Sequence, residues 1–510
     1  MARTIDYELF FDWNRNGTFT SGENEANYML SASGDESIAN PDESAFASTG
    51  YTTDVDFVMI NKGQRYSPSN TTGPYYTNMS GGGFYQIPVR LNVILNGTSY
   101  TLFTGVIKSI NENPRSEKDA GLVNIHCTSE DGALINRKLE TSVNTTSSFH
   151  VEGKDEGRLI AQTLTLAGLT DGTHFISQDY AGTPGVDIPT IAPGMFTIPW
   201  YWLDSESPID DCWKLAAACG GRFFYDVRTK MYTYHNMSMY STVATSKTSQ
   251  ATIDESNALI KPLYNDKELY SKVKVTSRPR TIGFTQELWK SEDIPRLAPG
   301  ETITLWAKVN NPVYEYKGYT FEATTTSGLS RTGDIYVAPP SYYTQAVKFT
   351  ITNTGVYHVF LRNFKLTGKP IEGGENYVYE KSSPNTSYWS NKNGKERAID
   401  NNPYIQTPAQ AQALGDMLAG RQGNYAERYN VRDYRGATVL RAGNRITISS
   451  STLGISSREA IVTKAQFNLA DGQFTQDFEC FAAAYLQPLP NTDYFLIGTN
   501  SSASAKKYFY

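Results

Sequence analysis

The chain has 510 residues, 39% hydrophobic and 19% charged, with a formal charge of −6, which excludes wholesale disorder and is too long for a single core. Its charges form no long single-sign blocks, so nucleic-acid specificity is not implied, and no run of about 18 apolar residues offers a membrane span. The 34 Tyr and 23 Phe, punctuated by 40 Gly and 23 Pro, favour strands and turns over long helices.

Met1 to Phe11 shows no basic stretch followed by an apolar one, so a signal peptide is not expected. Cys127, Cys212, Cys219 and Cys480 are too scattered for a disulfide framework or a closed zinc site, and free thiols are expected.

In chain order, Val55 to Ile60 reads as a strand, and Val89, Leu91 and Val93 alternate before an Asn96-Gly97 hairpin turn. Tyr100, Leu102 and Phe103 form the return strand, and Val123, Ile125 and Cys127 alternate again, so one β unit extends to about residue 138. Asp155 to Leu169 has helical spacing and ends near Gly168. A second helix begins with Ser207 as cap and Pro208 in the first turn. Its Asp210 and Asp211 complement the helix dipole, since adjacent helical residues diverge too far to act as a hydrolase pair. Gly220 and Gly221 stop this helix before two short strands, Arg222 to Asp226 and Met231 to His235.

Pro279, Pro295, Pro299 and Gly300 read as a linker over about 278 to 300. Ile303, Leu305, Ala307 and Val309 then open a β-sandwich that runs through Val347, Phe349 and Ile351 to Leu366. Gly373 to Asn402 reads as a long surface loop. Thr407 caps a helix with Pro408 in its first turn and Leu414, Met417 and Leu418 on one face. Strands follow to about 485, with a hairpin at Asp471-Gly472.

The sharpest chemical motif is Asp12-Trp13-Asn14-Arg15-Asn16-Gly17 followed by Glu23. It fits a Ca²⁺ loop in which Asp12, Asn14, Asn16, Glu23 and the Thr18 backbone carbonyl supply oxygens. Two Asn in place of acidic ligands and a preceding strand weaken that reading against a plain Asn/Gly turn. The dispersed His126, His150, His174, His235 and His358 make no metal spacing. Gly81-Gly82-Gly83 lacks phosphate-loop spacing, and no nucleophile elbow or dinucleotide fingerprint occurs. No enzyme activity is expected. The Trp200-Tyr201-Trp202 run reads as a core or interface anchor ahead of a sugar platform.

Several stretches resemble the tail-hub, or tail-tip, proteins of tailed bacteriophages. They are Asp12-Trp13-Asn14, Asn61-Lys62-Gly63-Gln64-Arg65-Tyr66-Ser67-Pro68, Gly73-Pro74-Tyr75-Tyr76 and Leu102-Phe103-Thr104-Gly105-Val106-Ile107. To these belong Ala217 to Phe224, Asn402-Pro403-Tyr404-Ile405 and Gly443-Asn444-Arg445-Ile446. The resemblance implies a mainly β, multidomain fold with smaller α+β parts and two barrel-like tail-tube-type domains. These would be residues 1–138 and 262–280 plus 396–487, with an α+β domain at 139–261, an inserted β-sandwich and surface loop at 281–395, and a tail at 488–510. It implies a homotrimer in the virion, made in the host cytoplasm. Its partners would be the tail tube, distal tail proteins, tape measure and receptor-binding or fibre proteins. The weighed alternatives are a sugar-binding adhesin, with Tyr342, Tyr343, Tyr388 and Trp389 as contacts, and a cell-wall hydrolase, for which 491–510 is too short.

Overall fold

A computed structural model describes residues 4–37, 53–113, 121–129, 151–181, 189–202, 207–236, 248–263, 270–382, 394–422 and 428–482. Among them no helix is long and apolar enough to cross a membrane.

Strands dominate, and twelve of them share one sheet. The N-terminal six are β1 (Ile5–Phe11), β2 (Met29–Ser37), β3 (Asp54–Asn61), β4 (Pro88–Leu95), β5 (Thr98–Asn113) and β6 (Gly121–Thr128). The others are β7 (Thr252–Ile253), β8 (Leu259–Leu263), β9 (Arg428–Tyr434), β10 (Arg445–Ser450), β11 (Ile455–Ala470) and β12 (Gln473–Ala482). The order across the sheet is β1-β4-β5-β6-β3-β2-β11-β12-β9-β8, with β10 also on β11 and β7 on β10.

Both sequence-predicted hairpins form. Leu95 faces Thr98 across Asn96 and Gly97, and Ala470 faces Gln473 across Asp471 and Gly472. All four turn residues have positive φ, as a tight two-residue turn matched to strand twist requires.

The expected pair of barrels is corrected: among the described residues no sheet closes. The reason lies in the ladder between β2 and β11, which spends on the other unit an edge that closure would need.

The α+β region follows its local signals closely. Asp155 caps the helix Glu156–Leu166 through a bond from the Arg158 N–H. The helix Pro208–Ala218 and the strands Arg222–Asp226 and Met231–His235 fall where expected. Ser207 is a correction, since its hydroxyl makes no cap bond and the helix starts on Pro208 alone. The helix Pro408–Gln422 is capped as expected by Thr407, whose hydroxyl accepts from the Gln410 N–H at 3.2 Å. All four cysteines are buried free thiols.

The supposed linker at 278–300 is instead sandwich strand. Arg280–Ile282, Gln286–Lys290 and Arg296–Leu297 all pair with the 15-residue strand Val359–Gly373, whose other edge takes Val313–Thr324. Facing that sheet is a second, in which Ala346–Asn353 pairs with Thr302–Lys308, Ile335–Val337 and Ser341–Tyr342. Phe349, Phe364, Leu366 and Val347 fill the core between the two.

Part of the supposed surface loop is also strand. Tyr377–Ser382 and Glu396–Ile399 flank Lys272–Ser277, held by Lys274 ion pairs to Glu380 (3.3 Å) and Glu396 (2.8 Å). Polar cross-strand pairs of this kind carry no hydrophobic alternation for sequence reading to find.

Candidate assembly surface

The feature that organises the molecule is the seam between β2 and β11. Seven residue pairs run from Ser31 opposite Ala470 to Ser37 opposite Lys464, joining segments more than 400 positions apart. At its centre Gly34 lies opposite both Val55 and Phe467. A Cβ there would meet Val55 Cγ2 at 2.6 Å and Phe467 Cε1 at 2.9 Å, so only glycine lets the ring cross the backbone. Phe467, Leu469 and Phe474 then complete the N-terminal core beside Phe11, Phe57 and Leu91.

A buried ion pair pins the same junction. Arg441, 7% exposed, reaches Glu36 Oε2 at 2.9 Å and the Leu102 carbonyl at 2.8 Å, and also donates to the Thr101 carbonyl. The second Glu36 oxygen accepts the Ala442 N–H at 2.8 Å. Each donor and acceptor at this crossing therefore has a partner, the condition under which a desolvated pair holds geometry. Lys464 and Asp35 add a pair at 2.8 Å. An acidic cleft of about 400 Å³ opens alongside, lined by Asp35, Asp54, Asp56, Asp433 and Asp477.

Sheet edges decide what more can attach. β8 pairs only with β9 among the described strands, and a groove of about 490 Å³ runs beside it past the half-exposed Leu259 and Leu453. The opposite edge, β1, is partly covered: the Glu25 N–H donates to the Leu9 carbonyl at 2.7 Å, and Asn24 Oδ1 accepts the Leu9 N–H at 3.2 Å. Such covering limits indiscriminate strand addition.

Glu25 anchors that cover. Its buried carboxylate accepts Arg65 Nη2 at 2.6 Å, Tyr66 Oη at 2.6 Å and the Tyr75 hydroxyl. Burial, with the Glu25 charge adding to it, pushes both tyrosine pKa values up, so they stay neutral donors. The Arg65-Tyr66 and Tyr75 motifs are therefore the walls of this pocket.

The turn at Asp12 builds the same cover. Buried Asp12 accepts the Asn16 N–H through Oδ1 at 3.1 Å and the Gly17 N–H through Oδ2 at 2.8 Å. Asn16 Oδ1 accepts from the Thr18 N–H at 2.8 Å, and Glu23 Oε2 accepts the Thr20 N–H at 3.0 Å. Asn14 Nδ2 donates to Glu23 Oε1 at 3.4 Å, which brings the start and the end of the candidate Ca²⁺ loop together. Among the described residues no cluster of three or more His, Cys, Asp or Glu forms a metal site.

The last junction is between the α+β region and the segment 402–406. Tyr404 donates to buried Asp211 at 2.7 Å, Gln406 brackets the Trp200 backbone, and Asn402 Nδ2 donates to the Lys214 carbonyl at 2.7 Å. Trp200 and Trp202 are buried against Ile371 and Tyr314, an anchor between the α+β region and the sandwich.

No family model matches the chain, and no curated protein matches its sequence. Solved tail proteins are similar to it in fold. A tail protein from Neisseria meningitidis MC58 is 9% identical at a TM-score of 0.48, covering 95% of this chain and 100% of that one. The 43 kDa tail protein of prophage MuSo2 from Shewanella oneidensis is 9% identical at a TM-score of 0.47, covering 95% and 98%. An Escherichia coli component of the type VI secretion system is 8% identical at 0.36, covering 89% and 73%.

Sequence reasoning passed over Glu25, Glu36, Arg441 and Phe467. Glu25 sits two residues past the calcium-like motif and carries no pattern of its own. Arg441 lies two residues before Gly443-Asn444, and that proximity to a singled-out motif was the one available signal. Among the adhesin candidates, Tyr342 points inward and packs on Tyr316, Tyr343 stacks beside Trp306, and Tyr388 and Trp389 lie outside the described residues.

Proposed function

We propose that the chain is a tail-hub protein of a tailed bacteriophage, a structural component that closes the distal end of the tail tube. In this reading it forms a homotrimer and connects the tube and tape measure to distal tail and receptor-binding or fibre proteins. The observation that carries the reading is the β2 to β11 ladder. It joins the two terminal β units into one sheet, and in this reading each chain offers both units to a ring of neighbours, as a three-fold plug on a six-fold tube requires. Buried or ion-paired residues at the junctions hold that sheet, and its role is assembly.

For the Asp12 turn we propose a weak structural Ca²⁺ site, favoured by the gathering of Asp12, Asn14, Asn16, Thr18 and Glu23 in one loop around Gly17 at φ 77°. The hub reading is tested by mixing the purified chain with tail-tube protein from the same genome and following co-sedimentation. Stable co-sedimentation is expected, and its absence at micromolar concentrations of both would reject the assignment.

A further inference from the structure

The outer face of the smaller sandwich sheet has a composition that the hub reading does not use. On Thr302–Lys308 the residues facing away from the core are Thr302, Thr304, Trp306 and Lys308, all exposed, while Ala307 is buried. The strand Ala346–Asn353 buries Val347, Phe349, Ile351 and Asn353 and turns Lys348, Thr350 and Thr352 outward. Register places Trp306 opposite Lys348, Thr304 opposite Thr350 and Thr302 opposite Thr352, whose hydroxyls are 2.9 Å apart. On the other flank Ser341 lies opposite Lys348 and Tyr336 opposite Thr352.

The result is an exposed strip with a ring at each end and rows of hydroxyls between. Trp306 is 41% exposed and Tyr336 56%. Tyr343 lies beside Trp306 with ring centroids 5.6 Å apart and planes 30° from parallel, and Lys348 Nζ is 5.7 Å from the Trp306 ring. What sets this face apart from the chain's other exposed rings is that Trp306 stands beside both Tyr343 and Lys348.

Charge selects among occupants. The four strands of this sheet carry Lys308 and Lys348 and no acidic residue. The flanking acids, Glu301 and Asp334, stand at the opposite end beside Thr302 and Ile335. Both are engaged, Glu301 with the Ala298 N–H at 2.6 Å and Asp334 with Arg331 at 3.9 Å. In a chain of net charge −6, a lysine-bearing end with an aromatic shelf is a local site for anions.

We propose that this face binds an anionic polysaccharide. The sugar ring's apolar side stacks on Trp306, hydroxyls of Thr304 and Thr350 exchange hydrogen bonds with the sugar hydroxyls, and Lys348 and Lys308 pair with its carboxylates or phosphates. The inference is independent of the hub reading, because the sandwich core between its two sheets is drawn entirely from residues 288–366.

The test is electrophoresis of the full chain through native gels cast with alginate, hyaluronate or teichoic acid, beside gels cast with neutral dextran. Retardation by at least one anionic polymer and none by dextran is expected, and the like sign of bulk charge on chain and polymer makes non-specific retardation unfavourable. Trp306→Ala raises the dissociation constant about tenfold. Lys348→Gln raises it less and flattens its salt dependence, which keeps the test valid should the tryptophan variant fold poorly. Phe284→Ala, at an exposed ring between strands of the other sheet, leaves binding unchanged. Retardation by none of the anionic polymers, equal retardation by dextran, or full binding by both face variants would overturn the proposal.

Discussion

The seam of the large sheet and the sandwich at 280–373 are both antiparallel β structure, yet they solve the problem of burial in opposite ways. The N-terminal core is incomplete without Phe467, Leu469 and Phe474 from β11 and β12, so that unit has no closed interior of its own. The sandwich fills its interior with its own residues, and its two ends meet: the Gly374 N–H donates to the Pro279 carbonyl at 2.8 Å. One arrangement makes two distant stretches of chain a single cooperative body, and the other makes a module that can be carried as an insert.

Arg441→Ala tests the first half of that contrast most severely. It leaves Glu36 without its buried cation and two carbonyls without a donor, a loss of about 3–5 kcal/mol. Chemical denaturation should show one transition for the whole sheet moving down together. Two separate transitions would break the idea of a shared core.

Glu156 gives a pH-dependent counterpart inside the α+β region. Burial pushes its carboxyl up to about 7, against the opposing pull of the Met195 and Phe196 N–H groups, which it accepts at 2.6 and 3.0 Å. The folded state therefore holds a proton that the unfolded state has released between about pH 4.5 and 7. Stability present at the acid end of that window falls as pH rises through it, by an amount on the order of 3 kcal/mol. Urea midpoints measured across the window check this, and Glu156→Gln should flatten the slope.

Asp12→Ala removes the acceptor for two backbone N–H groups in the turn that covers β1, and should cost about 1–3 kcal/mol. Calcium sharpens the result. A thermal midpoint that rises with added Ca²⁺ in the native chain and not in the variant is the expected outcome, and no change in either removes the ion from the turn.

The smallest effect is expected from excising 280–373 and joining Pro279 to Gly374 through a short glycine linker. Circular dichroism and the denaturation midpoint of the large sheet should change little, since the main loss is the packing of Ile371 on Trp200 and Trp202. Collapse of the whole chain would show that the sandwich is no insert.

What the sequence revealed follows the same division between local and distant causes. Asn96-Gly97, Asp471-Gly472, Asp155, Pro208 and Thr407 act on their immediate neighbours, and each marks a turn or helix start that the structure contains. The ladder from Ser31–Ser37 to Lys464–Ala470 has no local signature, because alternation says that a strand forms and not which strand it meets. Short proline-bounded strands near 280–297 looked like a linker, and Tyr377–Ser382 looked like loop because nearly all its side chains stay in water. At the assembly surface, the aromatic and arginine motifs around Tyr66 and Tyr75 were visible. Glu25, which organises them, and Glu36, which holds Arg441, were not.

Native mass spectrometry of the purified chain tests the central claim most directly, because a hub of the proposed kind must assemble with copies of itself. The account predicts a species at three times the 56.7 kDa chain, persisting at micromolar concentration. A single monomer peak over the same range, from protein whose β-sheet content is intact, would contradict it.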